Sequence, residues 1–381
     1  MIFKGIQIAD SSIPVDITIN EGKISSVIPS PIHGEHQLTG FIAFPGLINS
    51  HDHLDFNLFP QLGERTYKNY KEWGLHLHAS YKADIEKVLK IPRHLRAIWG
   101  IFKNLLGGVT TVVHHGPTLK NLPALITVHQ KTHNLHSVQF ERLWKIKLNH
   151  PLKKSKPCVI HSGEGIDSVS EQEIDQLLKW NLINRKLIGV HGIAMNVHQA
   201  AKFKALIWCP ESNYFMFQQT APIHELKQHV KILFGTDSTL TANWNIWNHI
   251  HHAREKTFLN DIELYHSLTV HPANAWGLPC GSLSQGKDAD IVIAHSENRS
   301  IFFDSFYNCS PEKLQLVMKK GKLLLIDQSF LPCLSLTPDQ LDQFSMIELN
   351  GSFKYVPSEL IAVVNKIKQY ASEIKLPFIN N

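Results

Sequence analysis

"KPCVIHSGEGIDSVSEQEIDQLLKW", residues 156–180, runs from a short apolar stretch through a histidine and a glutamate set among glycines into a segment with helical apolar spacing. That is one strand-turn-helix unit, and its first half recurs along the chain. "GVTTVVHHG" (108–116), "KLIGVHGIAM" (186–195), "ALIWCPESN" (205–213) and "VKILFGTDS" (230–238) are built alike, each closed by Gly, Pro or Asn turn chemistry. "APIHELKQH" (221–229) again has helical spacing. Strand-helix alternation of this kind implies a parallel sheet, and its persistence favours an α/β fold of the (β/α)8 TIM-like barrel type. Residues 117–155 leave little room for two complete strand-helix units, since one crossover with its helix takes at least about 10–12 residues. The third or fourth unit is therefore expected to be abbreviated.

In such a barrel the catalytic groups sit where the strands end and the loops converge. His51 and His53 in "FPGLINSHDHLDF" (44–56), His161, Glu164, His191 and Asp237 all fall at such ends. Residues two apart at a strand end project to one face, close enough for two imidazoles to hold one ion. Core packing explains the six poorly, because buried charge without a partner is costly. His114 and His115 can face the same cavity, though no motif gives either a role.

The flanks have a different texture. Residues 1–44 alternate as short strands around "EGK" (21–23), and 281–330 do so again in "GSLSQGKDADIVIAH" and "LQLVMKKGKLLLID". Two separated β-rich pieces around a barrel (45–280) predict one small β-sandwich domain built from both ends. Residues 331–381 are expected as a helical tail: "TPDQ" (337–340) resembles a capping box, and Leu360, Val364, Ile367, Ala371 and Ile374 form one apolar helical face.

Composition narrows the function classes. With 381 residues, 43% hydrophobic and 19% charged, the chain has ample material for a large core. A net charge of +5, with the basic residues scattered, does not make a nucleic-acid face. No apolar run is long enough for a membrane helix and the N-terminus does not resemble a signal peptide, so a cytoplasmic protein is expected. The five cysteines (Cys158, Cys209, Cys280, Cys309, Cys333) form no CxxC pair, so they are expected as buried thiols outside any disulfide framework or thiolate zinc site. Histidine is the anomaly, with 24 copies.

Taken together, the motifs resemble the amidohydrolase superfamily in its deaminase and triazine-hydrolase branch, which includes relatives of guanine, cytosine and S-adenosylhomocysteine deaminases. "PGLINSHDH" is similar to the family's first-strand signature, "HSGE" (161–164) to its fifth-strand His-x-x-Glu, "VHG" (190–192) to its sixth-strand histidine, and "CPESN" (209–213) to the segment after the seventh strand. "FGTDS" (234–238) is similar to the eighth-strand aspartate motif. "LTVHPANAWGL" (268–278) resembles the closing helix and "GSLSQGKDADIVI" (281–293) the return into the β domain. The resemblance covers about residues 1–325 and leaves out the tail.

That resemblance implies a metal-dependent hydrolase that deaminates an aminated heterocycle of purine, pyrimidine, pterin or triazine type with release of ammonia. It implies His51, His53, His161 and Asp237 as ligands of one divalent ion, Zn²⁺ or alternatively Fe²⁺. Three imidazoles and a carboxylate suit a borderline ion that keeps one position for water. Glu164 would be general acid/base, Asp237 the acceptor of the water proton, and His191 the group beside attacking water and developing oxyanion. A binuclear site bridged by a carbamylated lysine, for which Lys145 and Lys147 are candidates, is the competing arrangement. Trp73, Gln139, Glu141, Arg142 and Asn213 are candidates to line the pocket, with structural roles as the alternative. Amide or carbon-halogen hydrolysis on the same scaffold, or a non-catalytic metal-binding role, are the rival readings. The expected partner is a small heterocyclic molecule, with neither nucleic acid nor membrane, and a homodimer is plausible by analogy with other barrels.

Overall fold

The computed structural model describes residues 1–31, 38–296 and 302–380. The chain opens with three antiparallel strands, β1 (Ile2–Ile6), β2 (Val15–Asn20) and β3 (Lys23–Pro29), followed by β4 (Phe41–Pro45). Parallel strands come next: β5 (Leu47–Asp52), β6 (Val109–His114), β7 (Thr127–His129), β8 (His133–Leu135), β9 (Cys158–Ser162), β10 (Leu187–His191), β11 (Ala205–Trp208) and β12 (Lys231–Phe234). They form two sheets, ordered β5-β6-β7 and β12-β11-β10-β9-β8, with every neighbouring pair parallel.

The two sheets share one apolar interior. Ile48 of β5, Val113 of β6, Val159 of β9, Ile188 and Val190 of β10, Ile207 of β11 and Leu233 of β12 belong to a single buried cluster. Alternate strand residues turn inward, as the two-residue period of a strand requires. Across the seam between β12 and β5, the N–H groups of Thr236 and Asp237 both donate to the carbonyl of His51, at 3.1 and 3.0 Å. Gly235 makes that approach possible: a Cβ there would lie 2.8 Å from the Cβ of His51.

The shortage of residues after β6 takes a definite form. β7 and β8 have three residues each, residues 130–132 alone join them, and no helix intervenes. Among the described residues the helix Arg93–Leu106 is the longest, with Leu95, Trp99, Phe102 and Leu106 in the core. It also turns Lys103 and Asn104 inward, beneath β5.

The second layer is antiparallel. β4 pairs with β13 (Ile291–His295), then β14 (Leu314–Lys319) and β15 (Lys322–Asp327) follow. Ile17 and Ile24 from the N-terminal sheet meet Ile291, Ile293, Leu316 and Met318 in one core, so both chain ends contribute to it.

The tail differs from the helix expected over 331–381. Two strands, β16 (Phe344–Leu349) and β17 (Ser352–Pro357), add to β15, and β18 (Ile379–Asn380) pairs with β16, completing a seven-stranded sheet. The reason lies in the turn: Asn350 (φ 50°) and Gly351 (φ 82°) both take left-handed backbone, the requirement of a tight hairpin, and Asn-Gly is the pair that accepts it. Among the described residues past Leu334, helix is confined to Pro338–Leu341, where Gln340 accepts from the Thr337 N–H, and to Glu359–Tyr370. Leu360, Val364 and Ile367 of the latter are buried and Ala371 just past its end is too, against the helix Arg93–Leu106. Four cysteines are buried thiols, but Cys333 is exposed, in the turn that leaves β15. Among the described residues no helix is long and apolar enough to cross a membrane.

Candidate active site

The ends of β5, β6, β9, β10 and β12 converge. His51 is the last residue but one of β5, His53 follows the strand, His161 lies in β9, His191 ends β10, and Asp237 stands three residues past β12. His191 (φ 70°) and Asp237 (φ 59°) both hold left-handed backbone that non-glycine residues rarely adopt. Such strain, on the order of 1–3 kcal/mol per residue, persists where surrounding structure imposes it and clusters at functional sites.

The converging atoms are mutually close. Nε2 of His51 lies 3.3 Å from Nε2 of His161, and Oδ1 of Asp237 lies 3.8 and 3.7 Å from Nε2 of His51 and His53. Glu164 reaches the same place, with carboxylate oxygens 3.5 Å from His161 Nδ1 and 3.4 Å from His191 Nε2. Three overlapping sets of ligand atoms result: His51, His53 and His161; His51, His191 and Asp237; His161, Glu164 and His191.

The protonation states follow from burial and neighbours. Burial first, and the surrounding imidazoles second, hold His51 and His161 well below the usual histidine range, so each keeps a lone pair. Burial by itself would raise the carboxyl of Asp237, but His53, His191, the Ser212 hydroxyl and the Ser238 N–H outweigh it and leave Asp237 ionised. Glu164 goes the other way: burial, then the negative fields of Asp237 and Glu173, push it well above the ordinary carboxyl value. Two carboxyl groups in one pocket are thus set to opposite states, a pattern that separates acid from base.

Donors of this chemistry fit a divalent ion. Two ligands about 2.0–2.1 Å from one tetrahedral ion stand about 3.3 Å apart, the spacing of the two Nε2 atoms. Nδ1 of His51 and of His161 has no hydrogen-bond partner. Lys145 and Lys147 are not brought to this place. Lys145 lies 4.0 Å above the Trp180 ring, and Lys147 pairs with Glu141.

A buried polar lattice holds the converging side chains from below. Oδ2 of Asp52, between the two first-strand histidines, accepts from Lys103 Nζ (3.0 Å) and Asn104 Nδ2 (2.8 Å); Oδ1 accepts from Asn57 Nδ2 (2.7 Å). Asn49 Oδ1 accepts the Thr236 N–H at 3.1 Å, so the lattice ties β5 to the residue before Asp237. On the other side, Thr220 accepts from Asn213 Nδ2 (3.0 Å), which turns Asn213 Oδ1 towards His191 Nδ1 at 2.8 Å. His191 therefore carries its proton on Nδ1 and aims the Nε2 lone pair at Glu164 and Asp237.

The site opens into a cavity of about 570 Å³. Of the expected pocket residues, Trp73 lines it, with its indole N–H donated to the Leu62 carbonyl. Asn213 stands behind His191, as described. Gln139 bonds to Glu173, Glu141 accepts from the His136 N–H and pairs with Lys147, and Arg142 is exposed; none of the three lines the cavity. A second cavity of about 560 Å³, between 57–61 and the tail at 373–377, shares Phe59 with the first but none of the site residues.

Sequence reading left several contributors without a role. His115 is buried with its ring stacked on His161 at 4.8 Å, and His136, 5.0 Å from His161, lines the cavity. Ser212 donates to Asp237 at 2.9 Å from within the quoted "CPESN", and Asp52 occupies the middle of "HDH". Lys103 carried no signal in the sequence.

Residues 153–324 match the amidohydrolase family. A 5-methylthioadenosine/S-adenosylhomocysteine deaminase of Pyrococcus furiosus is 20% identical over 71% of this chain, which spans 65% of that protein's length. Among solved structures, an adenosine deaminase from Xanthomonas campestris with bound zinc aligns at TM-score 0.71 and 15% identity, covering 98% of this chain and 99% of that one. A guanine deaminase from C. acetobutylicum with bound guanine aligns at 0.64 and 16%, over 84% and 99%. A zinc complex of atrazine chlorohydrolase from Arthrobacter aurescens aligns at 0.63 and 17%, over 85% and 94%. The motif resemblance to the amidohydrolase superfamily is borne out, and the structural likenesses extend it to the fold.

Proposed function

We propose that this chain is a metal-dependent aminohydrolase of the amidohydrolase superfamily that removes ammonia from an aminated heterocycle. The observation that carries it is the convergence, at one buried spot, of the Glu164 and Asp237 carboxyl groups with the imidazoles of His51, His53, His161 and His191, where burial pushes Glu164 up while its neighbours hold Asp237 down. The two parallel sheets are then two arcs of one (β/α)8-type barrel. Their common interior cluster and the seam hydrogen bonds to His51 support this.

His51, His53, His161 and Asp237 would hold one divalent ion, zinc by the precedent of the aligned structures and the borderline donor set. When bound, such an ion supplies the Lewis acidity that makes water nucleophilic near neutral pH. Asp237, anionic and fixed by Ser212 and Ser238, takes up the proton of the attacking water. Glu164 holds a proton at Oε and delivers it to the ring nitrogen or the leaving amine. His191, with Nδ1–H committed to Asn213, presents Nε2 as an acceptor that orients the water, and can donate to an oxyanion only after gaining a proton.

A second reading, carbon-halogen hydrolysis, has the fold likeness to atrazine chlorohydrolase in its favour. Ammonia, halide and carboxylate release should be measured over a panel of amino-purines, pyrimidines, pterins, triazines and their halogenated and amide counterparts, with zinc-loaded protein and with Glu164→Gln. Ammonia, lost in the variant, is expected; halide or carboxylate with no ammonia would replace the proposal by its rival, and metal binding without any product would point to a non-catalytic role.

A further inference from the structure

The cavity in front of Glu164 is chemically lopsided. Its polar lining gathers at the inner end: His53, His161, Glu164, Asp237, Ser238 and Thr241. Tyr70, His78 and His136 also line it, and the remainder is apolar, with Phe56, Trp73, Leu77, Ile85, Leu89 and Phe140 among the walls. Two of the polar groups on those walls are already engaged: the Tyr70 hydroxyl lies between Ser137 Oγ at 2.7 Å and Glu173 Oε2 at 3.3 Å, and the Trp73 indole N–H donates to the Leu62 carbonyl at 2.8 Å. Among the described residues no lysine or arginine lines the cavity.

The apolar character continues to the mouth. Leu75, Leu89 and Phe140 line the cavity while remaining 66%, 52% and 45% exposed. Apolar surface held open to water at the entrance of a concave site is expected where an apolar ligand covers it.

Resting on the aminohydrolase reading, we infer that the substrate is an uncharged aminated ring whose half remote from Glu164 bears an alkyl, thioether or aryl substituent, and carries neither a phosphate or carboxylate nor a ribose. An anionic group would enter a wall without a lysine or arginine to meet it, and a sugar diol would exchange water for leucine and phenylalanine. An alkyl chain loses nothing there and buries the exposed rim.

The test is a binding series on the zinc-loaded protein, by calorimetry: 4-amino-6-alkylpyrimidines with ethyl, butyl and hexyl groups, beside adenosine and adenosine 5′-monophosphate. Wild type is read as KM where ammonia appears and as Kd where it does not, and Glu164→Gln is read as Kd. Affinity is expected to rise about fourfold per methylene until the mouth is reached, with the hexyl compound binding more tightly than either adenosine compound. Leu89→Lys, at an exposed position that should not disturb folding, is expected to weaken the hexyl compound at least tenfold. A flat series, no binding of the hexyl compound, or tighter binding of adenosine or its phosphate would overturn the inference. The two readings fail separately. A rising alkyl series without ammonia sinks only the aminohydrolase reading, and ammonia from adenosine with a flat series sinks only this one.

Discussion

Glu173 shows how much a single side chain here depends on its surroundings. Burial pushes its carboxyl up to about 7, against the pull of the Gly163 N–H and the Tyr70 hydroxyl that it accepts. Because the folded state holds this proton more tightly than the unfolded chain, the associated stability is complete below the ordinary glutamate value and is lost as pH rises through about 7. The expected size is on the order of 3 kcal/mol. Melting of wild type and Glu173→Gln at pH 5 and pH 8 should show the wild-type advantage shrinking with pH; a gap that stays constant or widens contradicts the assignment. At the same scale, Glu164→Gln should lower kcat by about 10²–10⁴-fold while leaving metal content unchanged. Loss of the metal along with activity would mean that Glu164 is a ligand instead. The convergence of His51, His53, His161, Glu164, His191 and Asp237 was legible because each lies at or just past the end of an apolar run in a motif with a fixed spacing. The residues that tune them were not: Ser212, Asp52 and Glu173 act through hydrogen bonds across the fold, and nothing in local spacing encodes a partner more than a hundred residues away, such as Tyr70 for Glu173.

At the level of elements, the helix Arg93–Leu106 and strand β5 are locked by an ion pair that water hardly reaches, Lys103 to Asp52. Removing one partner leaves a buried charge uncompensated, so Lys103→Met should cost about 3–5 kcal/mol. Since Asp52 separates the two first-strand histidines, the variant should also bind zinc more weakly, measured by competition with a chelator; unchanged zinc affinity with reduced stability would confine the lattice to a structural role. The hairpin β16–β17 offers a second check. Gly351→Val forces a β-branched residue into left-handed backbone and should destabilise by about 1–2 kcal/mol, read from the denaturant midpoint; no shift would mean that the turn is not set as described. This hairpin was legible in principle from "NG" between alternating residues, but the apolar face of the following helix drew the whole segment into one helical reading.

For the whole molecule, the tail belongs to the body of the protein. Ile347, Leu349, Val356, Leu360 and Ile367 are completely buried, and the strands of the tail cover the edge of β15 that would otherwise be open. A chain ending at residue 335 should therefore lose cooperative unfolding and aggregate; a truncated protein melting as the full chain does would show the tail to be dispensable. The alternation of strands and helices was visible in sequence because burial on both faces writes continuous apolar runs. The abbreviated β7 and β8 were visible only as a shortage of residues, because three-residue strands are too short to carry a period.

The central claim, one ion serving one aminohydrolase site, meets its most direct test in a single titration. Zinc would be added to metal-free protein while the rate of ammonia release from a substrate of the panel is followed. The rate should climb linearly to one zinc per chain and then level off; a break at two per chain, or a rate indifferent to zinc and to any other divalent ion, would contradict it.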